Sequence, residues 1–237
     1  MCILLALGRD GHPGTLWIAA NRDEDLERPW QPPQLLASGP RVFGGRDLVG
    51  GGSWLAVNVD AGFAVGVTNA RLGAAPRERS RGALVVELAS ARSLVEAVTR
   101  LEGDRFAEYG EFNLLLADAG EAWTATNHPA PLVRRSEGAA VALGNDALAS
   151  PGARVEAAAE RGRAVAALDD AALERALREL LADHAGADPF CRHGERYGTV
   201  CSTVLALRGR TLATYRFAPG RPCVTPFEDV ELPIAST

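Results

Sequence analysis

Met1-Cys2-Ile3-Leu4-Leu5-Ala6-Leu7 and Leu16-Trp17-Ile18-Ala19-Ala20 are two apolar runs, and the second ends in four polar residues, Asn21-Arg22-Asp23-Glu24. The stretch between them, Gly8-Arg9-Asp10-Gly11-His12-Pro13-Gly14, is rich in turn-forming residues, so the runs are expected to pair as an antiparallel hairpin. Pairing returns the end of the second strand beside the start of the first. Asn21, Arg22, Asp23 and Glu24 therefore belong near Cys2.

Removal of Met1, usual before a residue as small as cysteine, leaves Cys2 with a thiol and a free α-amine. With reference pKa values of about 8 for the amine and about 8.5 for the thiol, the neutral amine can take the thiol proton. Nucleophile and base then sit on one residue. On position alone an ordinary buried cysteine heading an apolar strand is the favoured reading, and it is the polar residues brought beside Cys2 that decide for the nucleophile.

The 237 residues are enough to bury a substantial core, and no linker interrupts them, so one domain over 1–237 is expected. A net charge of −5 argues against nucleic acid or an anionic membrane as the main partner. Four cysteines, Cys2, Cys191, Cys201 and Cys223, are too few and too uneven for a disulfide scaffold. No run approaches the roughly 18 apolar residues of a membrane span, and the short N-terminal run lacks a basic flank, so a cytoplasmic setting is expected.

Further along, Arg28-Pro29-Trp30-Gln31-Pro32-Pro33 reads as an irregular loop, because proline fixes φ and lacks a donor. Trp30 on it is either a wall over a site or a packing plug. Gly44-Gly45-Arg46-Asp47 and Gly50-Gly51-Gly52-Ser53 read as tight turns before a strand from Trp54 to Asn58; neither has the Gly-Lys-Ser/Thr ending of a phosphate loop. Phe63 to Asn69 is the next strand, with Asp60-Ala61-Gly62 as its turn. Asn69, where that strand emerges, suits an active-site donor as well as a plain strand terminator.

From Ser80 to Leu101 the apolar spacing turns helical, with a break near Arg92 and a capping box at Ser93 and Glu96, so two helices are expected. Phe112 to Ala117, Glu121 to Thr126, Leu132 to Arg135 and Ala140 to Leu143 read as a meander. Ser150-Pro151 suits the start of a helix whose core stripe includes Val155, Ala158 and Gly162, and Leu173, Leu177 and Leu181 mark another. Ser202 to Leu207 and Thr211 to Phe217 close the chain around a turn at Gly209. Cys191-Arg192-His193 with Cys201 or His184 fits no standard zinc spacing, so no metal ligand is assigned and Cys223 reads as a packing cysteine.

Several of these blocks, taken in order, resemble the NRDE family, the transport and Golgi organisation protein 2 homologues. They are the opening Met-Cys-Ile-Leu, Ala19-Ala20-Asn21-Arg22-Asp23-Glu24, Gly44-Gly45-Arg46-Asp47, Gly51-Gly52-Ser53-Trp54-Leu55, Val67-Thr68-Asn69, and Tyr197-Gly198-Thr199 with Cys201-Ser202-Thr203. The resemblance spans nearly the whole chain, and the family is similar in turn to cysteine-type N-terminal-nucleophile hydrolases. Pattern alone gives an α+β fold; the resemblance implies a four-layer α/β/β/α sandwich of antiparallel sheets.

The same resemblance implies a cysteine amidohydrolase or acyltransferase acting on a small-molecule amide. Cys2 would attack the carbonyl, Asp23 would orient its amine, and Arg22 would favour the thiolate or bind a substrate carboxylate. Asn69 is the expected oxyanion donor. Thr126-Asn127-His128-Pro129 is similar to the Thr-Asn-x-Pro stretch of bile-salt hydrolases and penicillin V acylases, which implies a second donor at Asn127, a plain turn being the other reading. Asn21, Trp30 and Arg196, the arginine nearest the late motif, are candidate substrate contacts. No cofactor is assigned. The competing function, implied by eukaryotic relatives, is a carrier of haem or a lipid-like metabolite.

Overall fold

The computed structural model describes residues 2–8, 13–70, 77–101 and 104–232. Strand side chains alternate between two faces, and in the first hairpin that alternation sets the layers. Along β1 (Ile3–Gly8) and β2 (Thr15–Asp25), Ile3, Leu5, Leu7, Trp17 and Ala19 pack towards helices. Leu4, Ala6, Leu16, Ile18 and Ala20 pack towards a second sheet. The turn residues Arg9 to His12 lie outside the described residues, as does Met1.

The chain continues through β3 (Trp30–Ser38), β4 (Arg41–Asp47), β5 (Leu55–Asn58), β6 (Phe63–Asn69), α1 (Arg81–Ala89) and α2 (Leu94–Thr99). A short 3-10 helix, Asp104–Glu108, leads to β7 (Phe112–Asp118), β8 (Ala122–Thr126), β9 (Leu132–Arg135) and β10 (Ala140–Leu143). Then come α3 (Ala153–Val165), α4 (Asp170–Ala182), β11 (Tyr197–Arg208), β12 (Thr211–Ala218) and β13 (Glu228–Asp229).

Among the described residues the strands form two antiparallel sheets, one ordered β10-β1-β2-β11-β12-β13 and the other β3-β4-β5-β6-β7-β8-β9. One core joins the two sheets through Phe43, Leu55, Leu115 and Leu205. A second lies under α1 and α2, and a third under α3 and α4. The result is the expected four-layer α/β/β/α sandwich. Among the described residues no helix is long and apolar enough to cross a membrane.

Several local expectations are corrected. Asn21-Arg22-Asp23-Glu24, the polar end of the second run, extends β2, because β11 supplies a partner as far as Asp25. Trp30 to Pro33 is strand rather than loop. Its prolines are tolerated because β3 is an edge strand and its register shifts between Gln31 and Gln34. Gly44 to Asp47 belongs to β4, and a Cβ on Gly45 would lie 2.2 Å from the Trp54 ring. β10 leaves the meander and crosses to the other sheet, pairing Leu143 with Leu4. Finally, α3 starts at Ala153 with Gly152 as an N-cap that offers no side chain, so Ser150-Pro151 lies ahead of the helix.

Candidate active site

The register Ile3↔Asn21 sets Cys2 at the head of β1 beside Arg22 and Asp23. Its Sγ lies 3.7 Å from the Asp23 carbonyl oxygen. Cys2 is half-buried in a cleft of about 550 Å³ whose walls include Arg22, Asp47, Trp54, Asn69, Ser80 and Arg81. Desolvation, and then the Asp23 carboxylate, push the Cys2 thiol up. A thiol held neutral in this way needs a base before it can attack. A second cavity, about 430 Å³ between β10 and α3, contains no cysteine among its lining residues.

Alternation along β2 sends Arg22 and Asp23 to opposite faces. Asp23 is buried against the helical layer, where Arg154 Nη2 of α3 lies 3.0 Å from Oδ2 and Thr199 Oγ1 donates to Oδ1 at 2.7 Å. Burial pushes the Asp23 carboxyl up, with Arg154 and Thr199 pulling the other way. The Tyr197 hydroxyl donates to the Asp23 carbonyl at 2.6 Å, and Ser202 donates to Asn21 Oδ1. The late motif thus braces the Asn-Arg-Asp-Glu block from the adjacent strand.

Arg22, 4% exposed, donates through Nη2 to Asp47 Oδ2 at 2.6 Å and lies over the Trp54 ring at 4.6 Å. Its Nη1 is buried without a hydrogen-bond partner among the described residues. Asp47 also accepts two bonds from Arg28 and the backbone N–H groups of Val49 and Gly50. One carboxylate therefore ties β2 to the glycine loop. That loop lies directly on the start of α1, since a Cβ on Gly52 would come 2.1 Å from the Gly82 carbonyl carbon.

Burial opposes ionisation of Asp47, but Arg28, the Gly50 N–H and Arg22 together hold its carboxyl below the usual range. A carboxyl lowered by folding stabilises the protein above its unfolded pKa of about 4, and that contribution is lost as pH falls through the folded value. Asp47→Asn is therefore expected to lower stability at neutral pH and flatten the acid limb of the stability profile. Urea denaturation across that range measures it; an acid limb as steep as in the wild type would contradict the assignment.

Of the residues expected at the site, Cys2, Arg22, Asp23 and Asn69 line one cleft. Asn69 ends β6, and its backbone carbonyl accepts from Asn145 Nδ2 at 2.7 Å. The others are corrected. Asn127 is saturated: Oδ1 accepts from the Phe112 N–H at 2.8 Å, and Nδ2 faces the carbonyls of Phe106, Tyr109 and Gly110. It shapes the loop at Gly110 and has no donor left for an oxyanion. Asn21 points towards the helices, donating to Leu181 and Phe190 carbonyls at 2.9 and 2.8 Å. Trp30 stands behind the cleft, edge-on to Trp54 and Phe217, so Trp54 forms the wall instead. Arg196 is 90% exposed beside Asp25 and does not enter the cleft.

Arg154, Asp47 and Arg81 received no role from the sequence. Arg154 falls four residues before Ala158, on the buried stripe of α3, and an arginine at a stripe position is the signal that was available. Arg81 begins α1, its Nη1 donating to the Glu111 carbonyl at 3.1 Å, and burial pushes its guanidinium down.

A model of the family described as "Transport and Golgi organisation 2" matches residues 1–216. The chain belongs to that family. No curated protein matches it. Among solved structures it is similar to the Caenorhabditis elegans N-acylethanolamine-hydrolyzing acid amidase ortholog, at 14% identity and a TM-score of 0.62 over 88% of this chain and 93% of that one. HslV from Trypanosoma brucei matches at 15% identity and a TM-score of 0.37, over 75% of this chain and 86% of that one. The amidase likeness identifies the sandwich of this transport and Golgi organisation 2 member as an N-terminal-nucleophile hydrolase fold.

Proposed function

We propose that the chain is a cysteine amidohydrolase for small-molecule amides, working in a reducing, cytoplasmic setting, with Cys2 as nucleophile once Met1 is removed. The observation that carries this reading is the placement of Cys2 in one cleft with Asn69 and the spare Arg22 donor. The solved amidase of like fold is described as hydrolysing N-acylethanolamines, which makes amide cleavage chemistry that this architecture can host.

In this mechanism the Cys2 thiol proton passes to the α-amine as Sγ attacks the amide carbonyl. Asn69 donates to the oxyanion. The carbon–nitrogen bond then breaks, the ammonium returns its proton to the leaving amine, and water hydrolyses the thioester to a carboxylic acid and free thiol. Asp23, fixed by Arg154 and Thr199, holds the charge that favours the ammonium form. Arg22 Nη1 and Arg81 offer cations for a carboxylate on the substrate, so N-acyl amino acids are the substrate class to try first. Carriage of an apolar cofactor such as haem has less support, because Val49, Trp54 and Val67 are the main apolar side chains among the described walls.

Protein shown by intact mass to lack Met1 is expected to release free amine from N-acyl amino acids or N-acylethanolamines. No release from any of them by such protein overturns the proposal. Asn69→Ala is expected to lower kcat by about 100-fold with KM little changed, since an oxyanion donor acts chiefly in the transition state. A change confined to KM would assign Asn69 to substrate binding instead.

A further inference from the structure

Away from the cleft, the α4–β11 connection meets the segment that follows β12, and three metal-ligating side chains, His184, His193 and Cys223, converge there, with Cys191 against the last two. Cys191 Sγ lies 3.5 Å from Cys223 Sγ and 3.6 Å from His193 Nε2, and His193 Nε2 lies 3.1 Å from Cys223 Sγ. The rings of His184 and His193 are 5.2 Å apart, and ligand atoms of His184, His193 and Cys223 all lie within 4.8 Å of one another. Cys191 is buried, Cys223 half-buried and both histidines exposed, so an ion would reach the cluster from solvent.

Tetrahedral zinc with Zn–S of about 2.3 Å and Zn–N of about 2.0–2.1 Å places its sulfurs about 3.8 Å apart and sulfur about 3.6 Å from nitrogen. The distances among Cys191, His193 and Cys223 come within a few tenths of an ångström of those values, apart from the shorter His193–Cys223 contact. A disulfide would hold the two sulfurs at about 2.05 Å and would have no use for an imidazole beside both. The sequence spacing concealed the set because its members come from three separate segments: the residues just after α4, the Cys191-Arg192-His193 loop, and the stretch after β12.

We propose that Cys191, His193, Cys223 and His184 bind one Zn²⁺ as a closed structural site. With all four positions filled by protein the ion has no vacancy for substrate, so its role is a clamp. Cys191 stands between two residues that support Asp23. The Phe190 carbonyl accepts from Arg154 at 2.7 Å and from Asn21 at 2.8 Å. The Arg192 N–H donates at 2.8 Å to Thr199 Oγ1, itself bonded to Asp23. The ion therefore fixes the loop that braces the candidate active site, and its binding is measured without reference to any enzymatic activity.

The test uses the full chain, reduced, stripped with chelator and titrated with Co²⁺ and then Zn²⁺. The expected result is one Co²⁺ per chain, with thiolate-to-cobalt charge-transfer and tetrahedral ligand-field bands that Zn²⁺ abolishes. Cys223→Ser and His184→Ala, at half-buried and exposed positions, are expected to keep the fold by circular dichroism. Each should lower metal affinity at least about 100-fold. Zn²⁺ should also raise the melting temperature of the wild type and not of Cys223→Ser. Substoichiometric Co²⁺, a spectrum without thiolate charge transfer, or undiminished affinity in Cys223→Ser would overturn the proposal.

Discussion

Cys2→Ser, in protein freed of Met1, is expected to lower amide hydrolysis by at least about 10³-fold while leaving the melting temperature unchanged. Serine keeps the size of the side chain and the α-amine, so the register of β1 against β2 and the cleft walls stay in place. What is lost is the proposed nucleophile. Even with burial and Asp23 pushing it up, a thiol gives its proton to the neighbouring amine far more readily than an alkyl hydroxyl does. Substrate affinity should survive, because the cleft walls Arg22, Trp54 and Arg81 are untouched. The comparison is made at saturating substrate with both proteins verified by mass, and equal turnover would remove Cys2 from the mechanism. Haem titration of the same pair tests carriage, which needs the walls and is indifferent to the thiol.

Arg154→Ala is expected to destabilise the fold by about 3 kcal/mol at neutral pH. The side chains of Arg154 and Asp23 are 4% and 0% exposed, so removing the arginine strands a carboxylate in the interior. The loss should fall at the lower end for a broken buried pair because Thr199 still donates to Asp23 and Arg192 Nε remains 3.6 Å away. The sign with pH follows from burial. A carboxyl pushed up by folding favours the native state at acid pH and loses that contribution as pH rises through the raised value. Without Arg154 that loss deepens, so the deficit against wild type should shrink as pH falls and Asp23 takes up a proton. Urea denaturation at several pH values measures it, and a deficit that grows on acidification would contradict the pairing. Asp23→Asn added to Arg154→Met should recover much of the stability.

Local pattern made β6, β9 and the two helices α1 and α2 readable, because glycine, proline and capping serines bound them. It could not show where β10 goes. The strand has the expected bounds, but its partner β1 is chosen by the packing of both sheets. The same override extends β2 through four polar residues beyond its apolar run. Part of the site was legible from parity alone. Arg22 shares the face of Ile18 and Ala20 towards the other sheet, while Asn21 shares that of Trp17 and Ala19 towards the helices. Asn127 was misread because a short motif carries residue type and order but not which hydrogen bonds the fold has already used.

The placement of β1 and β2 bears on how the chain is made. Their flanking partners are β10 and β11, both encoded late in the chain. On the ribosome the first hairpin would emerge with both hydrogen-bonding edges bare and wait for most of the remaining chain before either is covered. Such non-local pairing makes for slow folding and gives an exposed apolar hairpin time to meet other chains. It also leaves the N-terminus undocked and open to methionine removal before the cleft closes around Cys2.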